Sequence, residues 1–102
     1  MGYKQLQGDA ETLLVSIDGE NMDPKRSRFL RDHSFDFCWG YLGSGPPQLA
    51  LAILLFLTQD ATFSVVWYQE YKTTFVAKWP LHQNISVDLD STYKWISERN
   101  HR

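Results

Sequence analysis

The fold of this chain is decided by residues 36–57, DFCWGYLGSGPPQLALAILLFL, which join an aromatic segment to an uninterrupted apolar run. In and just before the aromatic segment, rings recur at every second position: Phe35, Phe37, Trp39 and Tyr41. Side chains at this spacing share one face of a β-strand, and four rings on one face make a strong packing surface. Residues 35–41 are therefore predicted to be a strand.

A glycine turn separates this segment from the apolar run. Gly43 and Gly45 can adopt a positive φ without the steric penalty of a Cβ atom. Pro46 suits a first helical position, because its φ is already fixed and an N–H there would have no helical partner. Positions 49–57 are apolar without a break. A helix over residues 46–58, with its N-cap at Gly45 or Ser44, is therefore predicted to be buried on most sides.

The chain before this stretch is predicted to form short strands and turns. Residues 3–7 are weakly strand-like, and residues 12–18 alternate apolar and polar side chains, as strands do. The dipeptide Asp18-Gly19 predicts a hairpin turn after the second strand. Residues 25–34 are predicted to be a loop with one helical turn.

Two more helices are predicted after the buried one. A helix over residues 62–79, which Pro80 ends, carries a stripe of rings at four-residue spacing: Phe63, Trp67, Tyr71 and Phe75. A last helix, capped by Asp88 or Asp90, is predicted to run to about Arg99.

Strands that come first and helices that follow indicate an α+β fold rather than alternating βαβ units. We expect one compact domain over residues 1–102, in which an antiparallel sheet of about three strands is packed on one face by two or three helices. The helix 46–58 should lie directly on the ring-bearing face of the strand 35–41.

Composition and charge restrict the classes of function. The net charge is −2, so nucleic-acid binding would depend on a local patch. The single cysteine excludes an intrachain disulfide and fits a reducing cytoplasm, and residues 1–5 lack the apolar region of a signal peptide. His33, His82 and His101 are not spaced as metal ligands. We predict a cytoplasmic protein that is neither an enzyme nor membrane-bound, with no catalytic residue, cofactor or metal.

The central motifs resemble a small family of uncharacterised bacterial, plasmid and phage proteins with a domain of unknown function. Its signature is a strand that ends W-G-Y, then G-S-G-P, then a helix that begins x-Q-L-A-L-A, matched here by residues 39–41, 43–46 and 47–52. The likeness covers most of the chain and departs at Leu42 and Pro47. The resemblance implies no activity, but it implies an accessory protein of a mobile element, such as an inhibitor of a host defence complex.

Two weak binding motifs are present. Gly43, Ser44, Gly45 and Gln48 lie at a predicted helix N-terminus, where free N–H groups and the helix dipole attract anions. They match neither common phosphate-binding fingerprint, so close packing of strand and helix is the favoured explanation. The second motif is a cluster of cations that can grip phosphates, but a solvated loop is favoured there: Lys25, Arg26, Arg28 and Arg31.

The chain has more rings than a core of its size needs. Tyr68 lies about 100° around its helix from the stripe, and Trp95 is similarly displaced from Tyr93 and Ile96. We expect Tyr68, Trp79 and Trp95 to be partly exposed and close together. An exposed patch of aromatic side chains is typical of a surface that binds a partner. The leading hypothesis is a binding protein that uses this interface for a second copy or a host protein. The alternative is an anion or nucleic-acid binding module built from the two weak motifs.

Overall fold

A computed structural model describes residues 2–100 and contains an antiparallel sheet and four α-helices. The elements follow one another as β1 (Gln5–Gly8), β2 (Val15–Ile17), β3 (Glu20–Asn21), α1 (Pro24–Leu30), α2 (Gly45–Thr58), α3 (Ala61–Thr74), a 3-10 turn (Val76–Lys78), β4 (Ile85–Asp88) and α4 (Asp90–Asn100). The predicted α+β class is confirmed, with four strands instead of three.

The sheet is built around β1, which pairs with β2 on one side and β4 on the other. The strand order is β3-β2-β1-β4, and all neighbours are antiparallel. Between β2 and β3, Asp18 and Gly19 have φ values of 51° and 86°, which a two-residue hairpin turn with two positive φ values requires. The hairpin predicted from this dipeptide is confirmed.

One face of the sheet is apolar and the other is polar. Leu6, Val15 and Ile17 are buried on the core side, and Gln7 and Ser86 are exposed on the other side. An antiparallel sheet with one solvated face shows this alternation.

The buried helix predicted over residues 46–58 is confirmed as α2. Leu49, Ile53 and Leu54 in α2 have no solvent-accessible surface, so this helix is the centre of the core. Among residues 2–100, no helix combines the length and the apolar character that crossing a membrane requires.

The helices on either side of α2 differ from expectation in length. Where a loop with one helical turn was predicted, α1 is a seven-residue helix. Asp23 caps it by accepting a hydrogen bond from the N–H of Lys25, and Pro24 occupies its first position. Asp60 caps α3 in the same way through the N–H of Phe63. This helix ends at Thr74 instead of residue 79, and the 3-10 turn follows.

The strand predicted over residues 35–41 is absent, and this prediction was wrong. Residues 31–44 form a loop between α1 and α2 in which Phe37 and Trp39 are buried, whereas Phe35 and Tyr41 are exposed. The loop pairs with none of the described strands, although the Trp39 ring lies against Gly8 of β1. The N–H of Gly40 bonds to the carbonyl of Val76, and the Trp39 indole N–H bonds to the carbonyl of Gln83. The alternating rings therefore mark two anchors of a loop.

The positive φ in this loop belongs to Gly40, at 86°, and not to Gly43 or Gly45. A Cβ atom on Gly40 would lie 2.7 Å from the Cα of Leu81, so a larger residue would clash there as well as adopt a strained conformation.

Candidate interaction surface

The partner surface predicted from surplus rings is not exposed. Tyr68 and Trp95 each expose only 6 % of their surface, and Trp79 is half-buried. The predicted partial exposure was wrong for Tyr68 and Trp95, because other elements cover the outer sides of α3 and α4, and it holds for Trp79. The ring of Trp95 packs against Tyr71 of α3 and against Phe75, the residue after that helix, with centroid distances of 5.2 and 6.3 Å.

Tyr68 is covered by the loop 31–44. Its hydroxyl is 2.8 Å from Nε2 of His33, and the two rings lie 5.6 Å apart. The helical period places Tyr68 off the apolar stripe of α3. It is buried nevertheless, because the loop 31–44 packs over it.

The proposed anion site at the start of α2 is occupied by the chain's own groups. Gln48 is fully buried. Its Oε1 accepts hydrogen bonds from the N–H groups of His33 and Ser34, at 2.6 and 3.1 Å, and its Nε2 donates to Oγ of Ser27 at 2.9 Å. The buried amide is therefore out of reach of an anion from solvent, and it ties α1, α2 and the loop 31–44 together.

The rest of this helix N-terminus is also covered. Pro46 and Pro47 carry no N–H, and the Tyr41 hydroxyl lies against the N–H of Gly45 and the Cys38 side chain. Partial burial and the neighbouring thiol raise the pKa of Tyr41 above its usual value. A Cβ atom on Gly45 would lie 2.5 Å from that of Cys38. The favoured explanation, close packing, therefore fits Gly45.

The basic residues predicted to lie in a loop are on or next to α1. Ser27 faces inward and has no exposed surface. Residues on the other side of this helix face solvent, as a period of 3.6 residues requires: Lys25, Arg26 and Phe29 are exposed. Arg31 follows the helix and is also exposed.

Two phenylalanines stand out on this side of the molecule. Phe29 on α1 is 91 % exposed, and Phe35 in the following loop is 74 % exposed. The Arg28 guanidinium lies 4.1 Å from the Phe35 ring centroid and is paired with Asp32 at 3.3 Å. We call this region the α1 surface, and it comprises Lys25, Arg26, Arg28, Phe29, Arg31 and Phe35.

A groove of about 370 Å³ borders the α1 surface. It is lined by residues of α1, α2 and α3: Lys25, Arg26, Phe29, Leu30, Leu55 and Ala61. Leu55 is buried beneath it. The groove thus offers apolar side chains with two cations beside them.

The cations beside the groove are available to a partner. Within residues 2–100, neither Lys25 nor Arg31 forms an ion pair. Arg26 donates one long hydrogen bond, 3.4 Å, to Oε1 of Gln59. Of the four basic residues, Arg28 is thus the one whose charge is already matched within the described chain.

The sequence could have located Phe29 but not Phe35. Asp23-Pro24 is a helix-start signal, and a helix that turns Ser27 and Leu30 inward turns Phe29 outward. For Phe35, the two-residue periodicity pointed to the core, and nothing local indicates that the loop buries only its middle rings.

The arrangement provides no metal site among the described residues. No group of three or more His, Cys, Asp or Glu side chains within residues 2–100 is close enough to hold an ion. His33 is hydrogen-bonded to Tyr68, and His101 lies outside the described residues.

The comparison with family models agrees with the resemblance to a family of unknown function. No curated protein and no solved structure matches the chain. One family model matches residues 1–98. The chain therefore belongs to DUF6166, a family of unknown function.

Proposed function

We propose that this chain is a small binding protein that acts through a protein partner at the α1 surface, without chemistry of its own. The observation that carries this proposal is the exposure of Phe29, which leaves 91 % of its surface in water. Burying a phenylalanine side chain is worth about 1.5 to 3 kcal/mol. Because Phe29 is exposed on an ordered helix, this free energy is still available when a partner covers the ring.

The composition of the α1 surface supports a protein partner. Interface cores are enriched in aromatic residues and arginine and depleted in lysine, aspartate and glutamate. Phe29, Phe35 and Arg28 fit this composition, and the buried hydrogen bond from Gln48 Nε2 to Ser27 Oγ ties α1 to α2 beneath them. A rigid anchor loses little conformational freedom on binding, which favours affinity.

The proposal extends to the setting in which the protein works. A reducing cytoplasm fits the single thiol, and the resemblance to plasmid and phage proteins suggests an accessory role for a mobile element. The partner is either a second copy of the chain or a host protein, including a component of a defence complex.

Nucleic-acid binding is the second candidate, because unpaired cations lie beside an exposed ring. Bases stack on aromatic side chains and cations attract the backbone. Against it, Asp23, Asp32 and Asp36 lie in the same segment, and they oppose a polyanion. A labelled single-stranded DNA or RNA tests this candidate directly, since affinity should fall steeply as salt is raised.

The test of the proposed function replaces Phe29 with serine. Wild-type and Phe29→Ser chains are used to capture proteins from a lysate of the organism that carries the gene, and each is examined for self-association by sedimentation. Loss of a hot-spot ring weakens binding by about 2 kcal/mol or more, so the partner or the dimer should be lost.

The matched control is Val66→Ser, since Val66 is 63 % exposed on α3 and lies outside the α1 surface. Thermal melts of both variants should stay close to that of the wild type, since neither side chain is in the core. Identical captured proteins and identical sedimentation for all three chains would contradict the proposal.

A further inference from the structure

From the groove beside Phe29 we infer the chemistry of the partner: an acidic segment that carries one large apolar side chain. This inference rests on the proposed function and adds to it the kind of sequence that the α1 surface recognises. Three features support this inference: the lining of the groove, the cations at its edge and the depression next to it.

The floor of the groove selects an apolar side chain. Leu30, Leu55 and Ala61 line the groove together with Phe29, and none of these three side chains offers a hydrogen bond. A polar group inserted there would lose its water without a replacement partner, which costs free energy. An aliphatic or aromatic side chain would gain by being removed from water.

The edge of the groove selects negative charge. Lys25 and Arg26 line it, and within residues 2–100 neither is in an ion pair. The carboxylates of Asp23 and Asp60, which accept hydrogen bonds from the N–H groups of Lys25 and Phe63, do not line the groove. A partner carboxylate next to the inserted side chain would therefore meet two cations and fix the register of binding.

A second, smaller depression of about 110 Å³ lies on the other side of Arg26. It shares Arg26 and Leu55 with the groove, but its lining is mixed: Met22, Ala52 and Phe56 are apolar, whereas Glu20 and Asp23 carry carboxylates. These carboxylates would repel an acidic side chain placed on that side of Arg26. The partner's acidic residue is therefore expected on the groove side, between Arg26 and Lys25.

The same features favour a protein over a nucleic acid. A nucleic-acid backbone requires phosphates to follow a track of cations, but Arg28 is matched by Asp32 and covers a face of Phe35. Lys25 and Arg26 line an otherwise apolar groove, and this lining suits an apolar side chain better than a base with its polar edges.

The experiment selects peptides from a displayed random library of twelve-residue peptides, with the wild-type chain as bait and Phe29→Ser as the subtractive bait. We expect enriched peptides to carry a large apolar residue with at least two Asp or Glu within four positions. Binding of an enriched peptide is then measured by fluorescence polarisation, and it should weaken as salt is raised.

Two doubly substituted chains make the test specific. Lys25→Glu with Arg26→Glu reverses the charge beside the groove, and should weaken binding by about tenfold or more, since it replaces attraction with repulsion at the contact. Lys78→Glu with Lys94→Glu changes the net charge by the same amount at exposed positions elsewhere, and should change affinity less than about twofold, because distant surface charges are screened.

The outcomes separate this inference from the proposed function. Enriched peptides that need Phe29 but contain no acidic residues, or that bind equally well after charge reversal, would overturn the acidic partner and leave the α1 surface as a binding site. Absence of enrichment over the Phe29→Ser bait would overturn the inference. Tighter binding of a twelve-nucleotide single strand at the same residues would also overturn it, in favour of nucleic acid. Failure of the proposed function itself would appear in the lysate and sedimentation experiments with Phe29→Ser.

Discussion

Tyr71 shows what a single position can contribute to this core. It is fully buried, and its hydroxyl lies 2.8 Å from that of Thr92, which connects α3 to α4. Loss of solvent raises the pKa of Tyr71 well above its usual range, although its hydrogen bond with Thr92 opposes this shift. The sequence placed Tyr71 correctly in the apolar stripe, but it gave no sign of the hydroxyl pair, because Thr92 is on another helix.

The raised pKa predicts how stability depends on alkaline pH. Above about pH 10 the unfolded chain loses the tyrosine proton while the native chain keeps it, so the unfolded state binds fewer protons and the free energy of unfolding falls as pH rises. The contribution from Tyr71 is up to about 1.4 kcal/mol per pH unit. Urea denaturation between pH 9 and 11 should show a shallower decline for Tyr71→Phe than for the wild type. Parallel declines would mean that Tyr71 ionises equally easily in both states.

At the scale of elements, helices were easier to predict from the sequence than strands. An uninterrupted apolar run is enough to identify α2, and two side-chain caps mark the starts of α1 and α3. Segment 35–41 failed because a period of two shows which side chains share a direction, whereas a strand also needs a neighbour to bond with. In the sheet, the edge of β1 that faces away from β2 is paired with β4, a strand of only four residues.

The contact between elements that sequence reasoning missed is the Gln48 amide. We predict that Gln48→Leu lowers the free energy of unfolding by about 2 to 3 kcal/mol, because the N–H groups of His33 and Ser34 lose their acceptor. Gln69→Leu on the exposed side of α3 is the control and should change stability by less than about 0.5 kcal/mol. Equal urea midpoints for the two variants would show that the amide does not hold the loop.

For the whole molecule, the sequence predicted the fold class but not which aromatic side chains remain exposed to solvent. Burial of Tyr68 and Trp95 depends on the loop 31–44 and on the packing of α4, and both are tertiary events. The candidate site moved accordingly, from Tyr68, Trp79 and Trp95 to the α1 surface. Its basic residues were identified from their clustering, but the groove needs Leu55 and Ala61 from two other helices.

The position of Trp95 gives a prediction for the assembled chain. Trp95 packs on α3, Arg99 stacks on its ring at 4.1 Å, and the Arg99 guanidinium is paired with Glu70. We expect Trp95→Ala to lower the free energy of unfolding by about 3 to 5 kcal/mol, as large core deletions do. Lys94→Ala, at the exposed neighbouring position, should have little effect. An unchanged thermal melt for Trp95→Ala would return this residue to the list of interface candidates.

The central place of β1 in the sheet has a consequence for synthesis on the ribosome. β1 leaves the exit tunnel early and can pair at once with β2, but its other edge waits for β4, which is made after the three preceding helices. Until then the nascent chain carries an open strand edge, of the kind that invites pairing with other chains. Contacts so distant in sequence also slow folding. Translation speed through the helical middle of the gene therefore sets how long that edge stays open.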